Sequence, residues 1–355
     1  MSRMFVPGPV DVDDEVLQAQ AQPMIPHRSK EFEEIFRRAS EKAQGLFFTR
    51  YRVFLSASSG TGLQEAGIRN LVNSKVLSCV NGAFADRWYD VAVSNGKKAE
   101  KLAFEWDQPI DPEHVAAAVK KGGFEALTIV HNETSTGMQN PVKEVAEAVH
   151  AVAPDTLILV DAVSSLSGAK VEMDAWGLDM VLTSSQKAIA LPPGLALAAV
   201  SDRALEKAES VENRGWYFDL LLLEKHRLKD SSPATPAMSL IFALDRQLDR
   251  ILAEGLEKRF ARHSAMAKRV QEWADAHDLS MYAPEGYRSQ TVTTIKNERN
   301  IDLSDLNTFL KQRGMRIANG YGPLKNITFR IAHMGEIQMS DVDTLLEAME
   351  EYLKR

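Results

Sequence analysis

Between about residue 52 and residue 201 the chain alternates short apolar runs with amphipathic stretches, the pattern of strands joined by crossover helices. The runs RVFLSAS, KVLSCV, KKAEKLAFEW, ALTIVHN, TLILVDAVSS, DMVLTSS and LALAAVS predict strands. Helical spacing lies between several of them, over Leu63–Val72, Asp86–Val93, Pro112–Lys120 and Pro141–Val152. Pro141 falls at the expected first helical position, where a missing N–H costs nothing. The alternation predicts an α/β fold with a mostly parallel sheet covered by helices, and ligands bound beyond the carboxyl ends of its strands.

After Pro236 the periodicity becomes helical over a long stretch, MSLIFALDRQLDRILAEGLEKRFARHSAMAKRVQEWADAH. Two short strands, in YRSQTVTTIK and ITFRIAH, and two helices, in LSDLNTFLKQRG and SDVDTLLEAMEEYLKR, follow it. That order predicts a small α+β C-terminal domain. We divide the chain into an N-terminal arm (1–28), a large domain (29–245) and a small domain (246–355), with the first helix over Ser29–Ala43.

Composition narrows the function. The 355 residues are 45% hydrophobic and 26% charged, enough for a sizeable core and two domains. The 42 basic and 49 acidic residues are intermixed, for a net charge of −7, so no basic stripe is present to neutralise a phosphate backbone and nucleic acid is not an expected partner. The apolar stretch Ile189–Val200 is too short to cross a bilayer, and MSRMFVPGPV lacks the sections of a signal peptide, so a cytoplasmic protein without a membrane partner is expected. A single cysteine, Cys79, excludes an intrachain disulfide and a thiolate metal cluster. The eight histidines lack the spacings that put two imidazoles on one helical face, and no metal site is expected.

The polar residues just past the apolar runs carry the candidate chemistry. SASSGTGLQEA places Ser58, Ser59, Gly60, Thr61 and Gly62 before a helix, where open backbone N–H groups suit a phosphate. Glu65 stands where a dinucleotide-binding motif needs glycine, which argues against a nicotinamide dehydrogenase. HNETSTG follows ALTIV, Asp161 follows TLILV, and Lys187 follows DMVLTSSQ. Each alone reads as ordinary: a connector, an N-cap, a solvated lysine. Together, at one sheet edge, an anion cradle, a carboxylate and a lysine amine are the set that pyridoxal phosphate needs for its phosphate, its ring nitrogen and its Schiff base. At about 4 Å a carboxylate and a ring cation attract by roughly 4 kcal/mol at an effective dielectric of 20, which offsets the burial of Asp161 and should lower its pKa.

Along nearly its whole length the chain resembles the class V (subgroup IV) aminotransferases of the alanine–glyoxylate and serine–pyruvate type, through VPGPVDV, SSGTGLQEA, NGAFADRW, HNETSTG, LVDAVSSLSG, SSQKAIALPPG, TPAMSL and FRIAHMG, in that order. The resemblance implies the fold type I, aspartate aminotransferase-like architecture and a homodimer. It implies that Lys187 forms the Schiff base, that Asp161 pairs with the pyridine nitrogen, and that Val163 packs beneath the ring. Phe84 matches a position that stacks on the ring's other face, often a tryptophan in relatives. Ser59, Gly60, Thr61 and Gln186 would hold the phosphate, Thr134 would approach the ring oxygen, and Thr235 would reach the phosphate of the other subunit. Arg330 and Gly8 would meet the substrate, Arg330 gripping its α-carboxylate with a planar fork that lysine cannot imitate. Relatives often carry a tyrosine three residues before the threonine matched by Thr235, where this chain has Ser232.

The implied activity is ping-pong transamination from a small amino acid, alanine or serine, to glyoxylate or pyruvate. Phosphoserine and aspartate are the alternative donors. His27-Arg28 could receive a phosphate or phosphonate, as in phosphoserine aminotransferases, but the same pair also occurs in relatives that act on uncharged side chains. A cysteine desulfurase is not expected, because it needs a late nucleophilic cysteine and the chain has only Cys79.

Overall fold

The computed structural model describes residues 3–355. Seven strands form the large sheet in the order Arg52–Ser56, Ala196–Val200, Met180–Ser184, Leu157–Asp161, Ala126–Val130, Lys75–Val80, Lys98–Ala103. Only Ala196–Val200 runs against its neighbours; the other pairings along the sheet are parallel, so Ser56, Val80, Val130, Asp161 and Ser184 finish at one edge. The five central strands are buried on both faces, which explains their near-continuous apolar runs. Alternate residues feed two cores, Leu77, Leu127, Ile129, Ile158 and Val160 on one face and Val76, Ala126, Leu157, Leu159 and Leu182 on the other.

The helices follow local chemistry. Lys30–Phe47 starts where Ser29 Oγ accepts from the Phe32 N–H, and it buries Phe32, Phe36, Ala39, Ala43 and Leu46, one face of the helix. Each large apolar side chain buried there stabilises by about 1.5–3 kcal/mol. Asp111 caps Pro112–Gly122, with Pro112 in the first turn and Gly123 in the left-handed conformation beyond the end. Pro141 stands one position earlier than expected, at the N-cap of Val142–Val152. The long helical stretch is two helices, Met238–Glu254 and Leu256–Asp275, separated by Gly255 at φ 85°.

The N-terminal segment differs from a featureless arm. Asp14–Gln20 is a helix capped by Asp13, and Arg3–Phe5 is a strand. That strand pairs in parallel with Met315–Asn319, which pairs with Thr328–Ala332, which pairs with Val292–Lys296, giving a four-stranded sheet with a core of its own around Phe5, Trp273, Ile295, Phe329 and Ile331. The strand Met315–Asn319 was not foreseen either; five residues with Arg316 exposed show little apolar signal, and the ladder on both sides holds them extended. No described helix is long and apolar enough to cross a membrane.

Candidate active site

A cavity of about 250 Å³ opens at the carboxyl edge of the large sheet. Ser59, Gly60, Thr61, Phe84, Thr134, Asp161, Val163, Gln186 and Lys187, all singled out in the sequence, line it. They arrive from five strand ends, so residues spread over 129 positions of sequence meet only because those strands are parallel.

One wall begins at the helix Gly60–Leu71. Its N-cap residue, Ser59, is extended and makes no side-chain capping bond, which leaves the helix start without that partner. A Cβ on Gly60 would lie 2.5 Å from Val163 Cγ2, so glycine is needed for the helix to approach the loop after Asp161. Close by, Ser184 Oγ is buried and unpartnered, as are Gln64 Oε1 and Asn132 Oδ1, all three residues lining the same cavity. An open helix start, a hydroxyl donor and two amide acceptors fit a polar, phosphate-bearing ligand such as pyridoxal phosphate.

Asp161 ends its strand buried, Oδ1 accepting from the Val163 N–H at 2.8 Å and Oδ2 from Gln64 Nε2 at 2.7 Å. Burial pushes its pKa up, against the lowering by those two donors and by Lys187 and Arg87. The direction is opposite to the lowering expected with a ring cation in place, because here desolvation outweighs the fixed donors and cations.

Lys187 lies on a loop whose backbone is held from outside. Arg259 donates to the Ala188 carbonyl at 2.8 Å and Gln247 to the Ile189 carbonyl at 2.8 Å, and both also reach Glu336. Ser185 Oγ closes the turn onto the Pro192 carbonyl. The amine donates to the Pro7 carbonyl. Burial first and the Arg330 charge second lower its pKa to about 8, against the raising by Asp161, so about a tenth of the amine is neutral and nucleophilic at neutral pH and roughly half at mildly basic pH. Gly8, at φ 103°, abuts it; a Cβ there would stand 2.8 Å from Lys187 Nζ.

Arg330 is buried in the small sheet, with Nε on the Asn319 carbonyl at 3.0 Å and Nη1 on the Thr134 carbonyl at 3.2 Å. It meets no carboxylate among the described residues, and burial lowers its pKa to about 10, which keeps it charged at neutral pH. Thr134 Oγ1 is 2.6 Å from Ser164 Oγ, which fixes the loop between the two walls. Glu133, fully buried, accepts from the Phe84 and Ala85 N–H groups and from Ser135, anchoring the start of the helix Ala83–Ser94 to that loop.

Thr235 is not brought into the cavity; it is exposed on the loop before Met238. Arg28 does not face a phosphate site in this chain, since its guanidinium holds Ser231 Oγ and the Ser232 and Pro233 carbonyls of that same loop. Residues not singled out from sequence also line the cavity: Gln64, Arg87, Asn132, Ser164 and Ser184. Two had a signal, because Gln64 lies four residues after Gly60 and Arg87 three after Phe84, the spacings that share a helical face. Arg87 stacks over Phe84 at 4.9 Å and bonds Tyr321 Oη, while Phe84 and Tyr321 lie 5.2 Å apart.

The L-aspartate–glyoxylate aminotransferase of Paracoccus denitrificans is 34% identical over 94% of this chain and 86% of its own length. The serine–glyoxylate aminotransferase of Hyphomicrobium methylovorum is 33% identical over 99% of this chain and 89% of its own. In structure the chain matches the alanine–glyoxylate aminotransferase of Nostoc sp. with a TM-score of 0.93, at 29% identity and over 99% and 96% of the two chains. The family model for aminotransferase class-V matches residues 13–340. The chain therefore belongs to the class-V aminotransferases and is a pyridoxal phosphate-dependent enzyme.

Proposed function

We propose that the enzyme moves an amino group from a small amino acid to glyoxylate or pyruvate in two half-reactions, with Lys187 as covalent anchor and proton carrier. The observation that supports it most is that Lys187, Asp161 and an uncapped helix start line one cavity. When bound, pyridoxal phosphate supplies an electron sink for the charge left at the donor's α-carbon. Ser59, Gly60, Thr61 and Gln186 grip its phosphate. Val163 and Phe84 would hold the ring between them, Thr134 would approach the ring oxygen, and Asp161 would keep a proton on the ring nitrogen. Lys187 Nζ would anchor the cofactor and, once free, would take the donor's α-proton as base and return it as acid. Arg330 sets the substrate's α-carboxylate, and Gly8 leaves the approach beside Lys187 open.

Alanine and serine are the expected donors, and glyoxylate is the acceptor that the names of the three relatives share. Aspartate is favoured as a second donor by Arg87, a cation lining the cavity that pairs with no carboxylate among the described residues. Adding alanine, serine, aspartate and phosphoserine in turn to the yellow holoprotein tests the reading. Loss of the visible band with a small donor, restored by glyoxylate, supports it; a band that no amino acid bleaches sinks it.

The same reading makes the enzyme a cytoplasmic homodimer in which Thr235 reaches the partner's phosphate. The dimer is supported by the exposed Trp216 and Tyr217 near the phosphate turn, where Tyr217 Oη bonds the Ala57 carbonyl. The same reading also keeps the division into arm, large domain and small domain, supported by separate cores around the two sheets, with Arg3–Phe5 tying the arm to the small one. Sedimentation of the holoprotein tests the dimer, a monomer at micromolar concentration counting against it.

A further inference from the structure

We propose that Gln64 is a positioning residue for the ring-nitrogen carboxylate: its side-chain N–H fixes Asp161 Oδ2 and favours the ionised form of that carboxyl. The inference rests on the assignment of Asp161 to the ring nitrogen.

Gln64 is only 2% exposed. Burying an amide costs free energy unless it is hydrogen-bonded, so a residue needed only to fill this space would better be aliphatic. Its Nε2 donates to Asp161 Oδ2 at 2.7 Å, a charge-assisted bond. The Val163 N–H takes Oδ1 at 2.8 Å. With one fixed donor on each oxygen the carboxylate plane cannot rotate, and the remaining lone pairs are free for a ligand. The charged groups that face Asp161 are Lys187, on the loop after Met180–Ser184, and Arg87, on Ala83–Ser94; both favour the ionised carboxyl against burial. Gln64 is the neutral side chain that does the same.

Its place in the fold gives the contact a second consequence. Gln64 lies on Gly60–Leu71, one turn after the phosphate turn, and its carbonyl accepts from Trp88 Nε1 at 3.1 Å, on the helix that carries Phe84. One residue thus links the phosphate turn, the ring-nitrogen carboxylate and the stacking helix.

The test uses the full-length chain with carboxyl-labelled aspartate, titrated by NMR without cofactor, for the wild type, Gln64→Met and Gln64→Glu. Met keeps the bulk and removes the donor, and Glu keeps the shape and adds a like charge. The expected result is an Asp161 midpoint raised in Gln64→Met and raised further in Gln64→Glu. With cofactor and donor, kcat should fall by about tenfold in Gln64→Met, the equivalent of one pKa unit, while the donor's KM changes by less than about threefold. If Gln64→Met does not fold, the isosteric Gln64→Glu carries the titration. An unmoved midpoint, or equal changes in kcat and KM, overturns the proposal. A wild type that no amino acid bleaches removes the transaminase reading instead, and the titration still decides whether Gln64 controls Asp161.

Discussion

The wall of the cavity that carries Asp161 and the wall of the small sheet beside it, where Arg330 bonds the lining residue Thr134, answer a buried charge in opposite ways. Asp161 is met by a backbone N–H, an amide donor and the charges of Lys187 and Arg87, each of which favours its ionised form against burial. Arg330 is oriented by two backbone carbonyls and meets no carboxylate among the described residues. A carbonyl fixes a guanidinium's direction without cancelling its charge, and a buried cation left uncancelled favours an incoming anion. The first wall is complete as a support for a ring; the second is complete only with a substrate carboxylate.

Substitutions can break either side of that contrast. The largest effect is expected for Lys187→Ala, a loss of about 10⁴-fold or more in turnover, measured with a saturating donor; substantial transamination with cofactor still bound would sink the assignment. Asp161→Asn should cost roughly 10²-fold in kcat with the substrate's KM little changed, since it removes charge on the ring side alone. Arg330→Lys should act on the other side, raising the donor's KM about tenfold or more through loss of the bidentate fork. An unchanged KM there counts against the clamp.

Acid bears on both walls and is the mildest perturbation. Burial lowers the pKa of His131, bonded to Ser165 beside the first wall, to about 4 and that of His333, bonded to Thr293 in the small sheet, to about 3. The unfolded chain binds these protons near pH 6.5 and the folded chain resists them, so stability is fully present above about 6.5 and falls as pH drops towards 4 and 3. Thermal melts from pH 7 to pH 4 should show Tm falling; a flat profile contradicts buried neutral histidines.

Asp161, Lys187 and the Ser58–Gly62 turn of the first wall were legible in sequence because each follows an apolar run and parallel strands deliver their ends to one edge, whereas Phe84, Val163 and Gln186 were legible only by resemblance. The second was legible only by resemblance, since ITFRIAH alternates like any strand and nothing local says what Arg330 faces. Arg3–Phe5 gave no signal at all: three residues have no periodicity, and their strand exists because Met315–Ile317 pairs with them from the far end of the chain. Gln64 was overlooked for a different reason. An amide inside a helix reads as surface, and only the carboxylate opposite explains its burial.

Reduction of the holoprotein with borohydride followed by peptide mapping addresses the central claim directly. The account predicts cofactor fixed on the single peptide that contains Lys187, and protection of that lysine when a donor amino acid is added first. Label on a different lysine, or none on Lys187, would contradict it.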